Sequence, residues 1–151
     1  MEVLPNNLPV QTTSFVGREK EIEESLRRLE KTKLLTLMGT GGTGKTRLAL
    51  EIGARVINEF RDGVWLVELA PITDPDRVVE TVASAVGARE EPERPLRETL
   101  VNFLKGKNVL LIFDNCEHLL NAASSIASEL LRAGPNLKII AASRHSPGIA
   151  G

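Results

Sequence analysis

The chemistry most readily read from this sequence lies in one stretch, Gly39-Thr40-Gly41-Gly42-Thr43-Gly44-Lys45-Thr46. It satisfies G-x-x-x-x-G-K-[ST] at every specified position. Glycines permit backbone conformations that a Cβ would forbid, so the N–H groups of Gly39, Gly41, Gly42, Thr43 and Gly44 can turn inward on an anion. The loop then feeds a helix N-terminus, whose partial positive charge favours the anion. In such a cradle the Lys45 ammonium reaches the β- and γ-phosphates of a nucleotide, and the Thr46 hydroxyl ligates Mg²⁺. Arg47 follows directly and is grouped with the nucleotide-binding residues.

A phosphate loop of this kind needs an acid at the end of a neighbouring apolar strand. Val109-Leu110-Leu111-Ile112-Phe113-Asp114 supplies one, and Asp114 is the expected magnesium partner of Thr46. A carboxylate at a buried strand end is costly without a cation or hydrogen bonds to compensate it. The next residue is Asn115, which can orient a water but cannot take its proton at neutral pH. Glu117 is the other candidate base, with a solvated acid in the first turn of a helix as its plain alternative. Slow hydrolysis is therefore expected. Arg144 closes an AASR segment where parallel-sheet ligands bind, and its guanidinium could report on the γ-phosphate. His118 and His145 read as packing or solvated residues, Cys116 as a small buried side chain. No His/Cys spacing suggests zinc.

Strands and helices alternate around these residues. Ile22, Leu26 and Leu29 recur at helical steps between Gly17 and Lys31, which predicts an amphipathic helix. Segment 33–38 reads as a buried strand, Thr46 to Phe60 as a helix and 62–69 as a second strand. Asp74 and Pro75 open a further helix that Gly87 stops. Leu96–Leu104 gives the next helix, 108–115 the most apolar strand, 117–132 a helix, and 137–144 a fourth strand. Strand-helix alternation of this kind predicts a mostly parallel sheet of about four strands in a three-layer α/β sandwich, the P-loop NTPase architecture. Residues 1–14, rich in Pro, Asn and hydroxyl groups, read as an extended lead-in; 15–151 forms the nucleotide-binding domain.

Bulk properties agree. A chain of 151 residues fits one domain, and 42% apolar with 26% charged residues is ordinary globular composition. Aromatics are only 3%, so Leu, Ile, Val and Ala must build the core. A net charge of −1 argues against direct nucleic-acid binding by this segment. A lone cysteine cannot form an internal disulfide, no apolar run reaches membrane-spanning length, and no signal-peptide pattern opens the chain. The expectation is a cytoplasmic domain without a membrane partner.

Five stretches together resemble one family: FVGREKEI (15–22), LTLMGTGGTGKTRLAL, DGVWLVELAPITDP, LLIFDNCEHLL and LKIIAASR. Their order is similar to that in bacterial NB-ARC-type STAND ATPases, as found in large transcriptional regulators and class III adenylate/guanylate cyclase-related proteins. The resemblance implies that Val16, Gly17 and Arg18 lie near the adenine. It also implies that Gly42, Gly44, Lys45 and Thr46 bind phosphate, Asp114 binds Mg²⁺ and Arg144 senses the γ-phosphate. It implies an ATP/ADP switch with slow or latent hydrolysis, and a fourth strand lying between those of the P-loop and Asp114. Relatives continue into a fifth strand and helical and winged-helix closing domains, so by resemblance this is a truncated module awaiting effector and closing domains. Leu34–Met38 would then be an open apolar edge prone to self-association. Two other readings remain. A GTPase would show N-K-x-D and D-x-x-G, which are absent, and a small-molecule kinase an Arg-rich lid, which REEPERP (89–95) does not offer. A non-hydrolysing interaction domain would suit a degenerate loop, whereas this one is intact.

Overall fold

The computed structural model describes Asn6, Leu8 and residues 19–38, 43–114 and 119–143. Its elements are α1 (Glu19–Lys31), β1 (Leu34–Met38), α2 (Thr43–Arg55), β2 (Val64–Glu68), α3 (Val78–Val86), α4 (Leu96–Leu104), β3 (Leu110–Asp114), α5 (Leu120–Ala133) and β4 (Lys138–Ser143). The four strands pair in parallel in the order β1-β4-β3-β2. β4 lies between β1 and β3, as the sequence reading expected.

Strands β2, β3 and β4 contribute apolar residues to both faces because both are covered, whereas β1 buries only the face of Leu35 and Leu37 and leaves Leu34 42% exposed. Leu35, Leu37, Leu66, Ile112 and Ile140 pack against α1 and α2, with Ile22, Leu48 and Ile52 from those helices. Val67, Leu111, Phe113 and Ile139 pack on the other side with α3, α4 and α5, joined by Val82, Leu100, Ile126 and Leu130. The result is a three-layer α/β sandwich. α2 sits especially close to the sheet: a Cβ on Gly53 would lie 2.9 Å from Ile112 Cδ1 and 3.2 Å from Val64 Cγ1. Glycine here sets how deeply the helix beds down.

Several boundaries differ from the sequence reading. The helix expected over Thr46–Phe60 starts earlier, at Thr43, and ends at Arg55; a separate 3₁₀ turn, Ile57–Glu59, follows. Asp74 does cap a turn, accepting from the Asp76 N–H at 2.9 Å, but the turn is the 3₁₀ segment Pro75–Arg77, and α3 begins only at Val78. Gly87 ends α3 as expected, with φ of 84°, a conformation that suits glycine. The lead-in also contributes more than its composition suggested. Asn6 forms a parallel bridge with Val64, and Leu8 packs on the core beneath α2.

At the amino-terminal end of the sheet, polar side chains are spent on main-chain groups. Lys33 Nζ donates to the carbonyls of Leu131 (2.8 Å) and Gly134 (3.1 Å), closing the end of α5. Lys138 Nζ donates to the Leu29 carbonyl near the end of α1. Helix carboxyl ends carry unpaired carbonyls and partial negative charge, and the two lysines meet both needs. Asp62 and Asn108 exchange further bonds at the same end: Asn108 N–H to Asp62 Oδ2 at 2.8 Å, and Arg61 N–H to Asn108 Oδ1 at 2.8 Å.

Candidate nucleotide site

The strand order itself creates a crevice. β1 passes through α2, on one face, to the far strand β2, while β3 passes through α5, on the other face, to β4. Where connections diverge to opposite faces, the carboxyl ends of the strands border an open cleft, the usual ligand position in open α/β sheets. Met38 is paired with Ser143 and Asp114 with Ala142, so β1, β4 and β3 finish in line along that cleft.

Two of the sequence-predicted site residues meet there. Thr46, in the first turn of α2, donates its hydroxyl to Asp114, with Oγ1 at 2.9 Å from Oδ1 and 3.2 Å from Oδ2. Asp114 is the last residue of β3 and only 6% exposed. Residues 68 positions apart are brought together because Gly53 lets α2 lie close over Ile112, one turn of the pleat below Asp114. A hydroxyl and a buried carboxylate at hydrogen-bonding distance are hard oxygen donors, which suits a small divalent cation such as Mg²⁺. On geometry and donor chemistry the pair fits the expected metal.

The backbone of Thr43, Gly44 and Lys45 forms the start of α2, so the helix begins earlier than expected, inside the loop, and directs its amino end to the cleft. The Lys45 and Thr43 side chains lie outside the described part of the structure, as do Val16, Gly17, Arg18, Gly39, Gly41 and Gly42. Asn115, Cys116, Glu117, His118, Arg144 and His145 also fall outside the described residues. Arg47 is half-buried on α2.

One residue at the cleft was not singled out by motif or spacing. Glu68 ends β2 and is the register partner of Asp114 across the β2–β3 ladder. Val64 and Leu66 face α2, and strand alternation puts Glu68 on that same side. Its side chain is exposed. The only sequence signal was an acid closing an apolar strand; its meaning depends on β2 lying next to β3.

A family model for an AAA domain matches residues 27–148. The chain belongs to this AAA-domain family. Relatives extend the picture. The domain is 43% identical over 139 residues to an uncharacterized protein of Mycobacterium tuberculosis, covering 92% of this chain and 35% of the relative. It is 46% identical over 123 residues to a protein of the same organism named as an HTH-type transcriptional regulator, covering 82% of this chain and 14% of that one. The AAA domain thus spans about a third or less of the relatives it matches. Among solved structures, Cdc6p of Pyrobaculum aerophilum superposes with a TM-score of 0.69 at 13% identity, over 92% of this chain and 41% of its own. ORC2 of Aeropyrum pernix gives 0.63 at 18% identity, over 90% and 43%. These likenesses are of fold. No helix among the described residues is long and apolar enough to cross a membrane.

Proposed function

We propose that this AAA domain binds ATP and ADP with Mg²⁺ and acts as a cytoplasmic regulatory switch with slow hydrolysis, of the NB-ARC-type STAND kind. The observation that carries the reading is the Thr46–Asp114 contact, at 2.9 Å, beneath the start of the helix that follows the glycine loop. The amino-terminal end of α2, which begins at Thr43 within the phosphate-binding motif, and a hydroxyl–carboxylate pair meet at the carboxyl end of the sheet. Support for adenine comes from the solved ORC2 neighbour, whose description names ADPNP and ADP complexes, and support for regulation from the relative named as a transcriptional regulator.

In this reading Gly39, Gly41, Gly42, Thr43 and Gly44 wrap the phosphates, Lys45 neutralises them and Val16, Gly17 and Arg18 select the base. Thr46 and Asp114 hold Mg²⁺, which when bound offsets charge on the β- and γ-phosphates. Arg144 reads the γ-phosphate, and effector and closing domains receive the change. Self-association through β1 is part of the same reading: β1 is an edge strand among the described residues, and Leu34 at 42% exposure is its outward apolar residue.

Calorimetry with Mg-ATP and Mg-ADP tests the core of the proposal. Both should bind, GTP should bind at least about tenfold more weakly, and Lys45→Ala should abolish measurable binding, because a charge-assisted contact to phosphate is strong in a site shielded from water. Equal affinity of Lys45→Ala and the parent would defeat the reading. Analytical ultracentrifugation tests the edge, where a strict monomer at high concentration would count against self-association.

A further inference from the structure

We propose that Glu68 is the acid that orients the attacking water and takes up its proton during nucleotide hydrolysis, an inference resting on the ATP-binding reading above. Four observations converge on it. Glu68 is the register partner of Asp114. It shares the sheet face of Asp114 and Thr46, since Val64 and Leu66 on the same side of β2 pack beneath α2. It is exposed, at the carboxyl end of a strand that is otherwise mostly buried. Among the described residues it makes no hydrogen bond or ion pair.

The two acids differ in what they are free to do. Asp114 is buried and already engaged by the Thr46 hydroxyl, which suits a fixed charge facing a cation. Glu68 sits one strand over, about 4.8 Å away along the ladder, with one more methylene and an open path to water. The residue after Asp114 is Asn115, an amide that can donate to or accept from a water but does not accept its proton at neutral pH. A carboxylate can. The rung partner of the metal-site acid is therefore a described group with the required chemistry.

The step is a hydrolysis. The oxygen of one water forms a bond to the γ-phosphorus as the bond from that phosphorus to the β,γ-bridging oxygen breaks, its electron pair leaving on ADP. The water proton passes to the Glu68 carboxylate and from there to the released phosphate, which regenerates the carboxylate. Phosphoryl transfer of this type needs orientation of the water at least as much as basicity. A solvent-exposed acid holds its water loosely, which gives a slow reaction, in keeping with a switch.

Standing on the edge strand β2, Glu68 also borders an open hollow on the α3 side, with Ile72, Arg77 and Glu80. A purely structural Glu68 would act through Arg77 across that hollow, so Arg77→Ala serves as a control. The experiment compares the parent with Glu68→Gln, Glu68→Asp, Arg77→Ala and Glu117→Gln in three measurements: Mg-ATP affinity by calorimetry, phosphate release, and affinity for Mg-ADP with aluminium fluoride, which mimics the phosphoryl group under attack. Glu68→Gln should keep Mg-ATP affinity within about twofold, lose turnover by about a hundredfold, and bind the aluminium fluoride complex at least about tenfold more weakly. Glu68→Asp should fall between it and the parent, and Arg77→Ala should match the parent. Unchanged turnover and aluminium fluoride affinity in Glu68→Gln would overturn the inference, as would the same losses appearing in Glu117→Gln instead. A parent that binds Mg-ATP but releases no phosphate would also overturn it, leaving the binding reading intact. A parent that binds no nucleotide would remove the binding reading itself.

Discussion

The two ends of the sheet use polar side chains in opposite ways. At the amino-terminal end Lys33, Lys138 and Asn108 donate to main-chain carbonyls, and Asp62 and Asn108 accept from main-chain N–H groups. There the side chains complete the backbone. At the carboxyl-terminal end Thr46 and Asp114 bond to one another, side chain to side chain, and Glu68 stands beside them exposed. A bond between two side chains can be exchanged for bonds to a ligand without unravelling a helix. The contrast separates the end built for persistence from the end built for exchange.

That separation can be attacked directly. Among the residues of the Thr46–Asp114 contact the largest effect on ligand is expected from Asp114→Asn, which keeps shape and a hydrogen bond to Thr46 but removes the charge that would face a cation. The enhancement of ATP affinity by Mg²⁺ should fall about tenfold or more, while thermal unfolding without nucleotide changes by only a few degrees. A collapse of the apo fold would show that the carboxyl end is structural after all. The largest effect on folding is expected from Gly53→Val, whose side chain would enter the 2.9–3.2 Å gap to Ile112 and Val64. Overpacking of this kind costs about 1–3 kcal/mol in chemical denaturation, and by lifting α2 it should also weaken nucleotide binding. Gly53 is where the two ends communicate.

Smaller effects sharpen the distinction. Lys33→Met leaves the α5 carbonyls at Leu131 and Gly134 without their donor and should cost about 1 kcal/mol, with nucleotide affinity unchanged; a change in affinity would break the comparison. Arg55 links the α2 carboxyl end to the start of α1 through two contacts with Glu19, at 3.0 and 3.3 Å, and one with Glu51 at 2.8 Å. These partners, Glu19 foremost, raise its pKa above the ordinary arginine value, so the link stays charged at any working pH. Glu19→Gln should cost about 0.5 kcal/mol at low salt and less at high salt. The smallest change is Thr99→Val. The Thr99 hydroxyl is buried in α4 without a hydrogen-bond partner among the described residues, so replacing it with a methyl should be neutral or slightly stabilising in the same denaturation assay.

How much of this was legible in the sequence follows from the range of the interactions involved. Strands β3 and β4 were legible because apolar runs with β-branched residues report burial on both faces locally. The Thr46 and Asp114 pair was legible because a phosphate loop and an acid-terminated strand each carry their own signature. The break between α2 and the 3₁₀ turn at Ile57 was missed, since apolar spacing continues through Val56 and Ile57 while the backbone does not. Asn6 and Leu8 were missed because their contacts, with Val64 and the core under α2, are with partners far along the chain. Glu68 was invisible for the same reason. An acid after an apolar strand has no meaning until its neighbour in the sheet is known.

The strand order also has a consequence for how the molecule comes into being. β4, the last in chain order of the four described strands, lies between β1 and β3, pairing Leu35 with Ile140 and Ile112 with the same residue. Among the described strands β1 therefore has no partner until β4 has been synthesised. Pairing across such a separation is slow, so a nascent chain spends its early life with β1 unjoined. On the proposed reading, nucleotide capture doubles as a readout of assembly: only a chain that has threaded β4 into the middle of the sheet brings the carboxyl ends of β1 and β3 into line along the cleft.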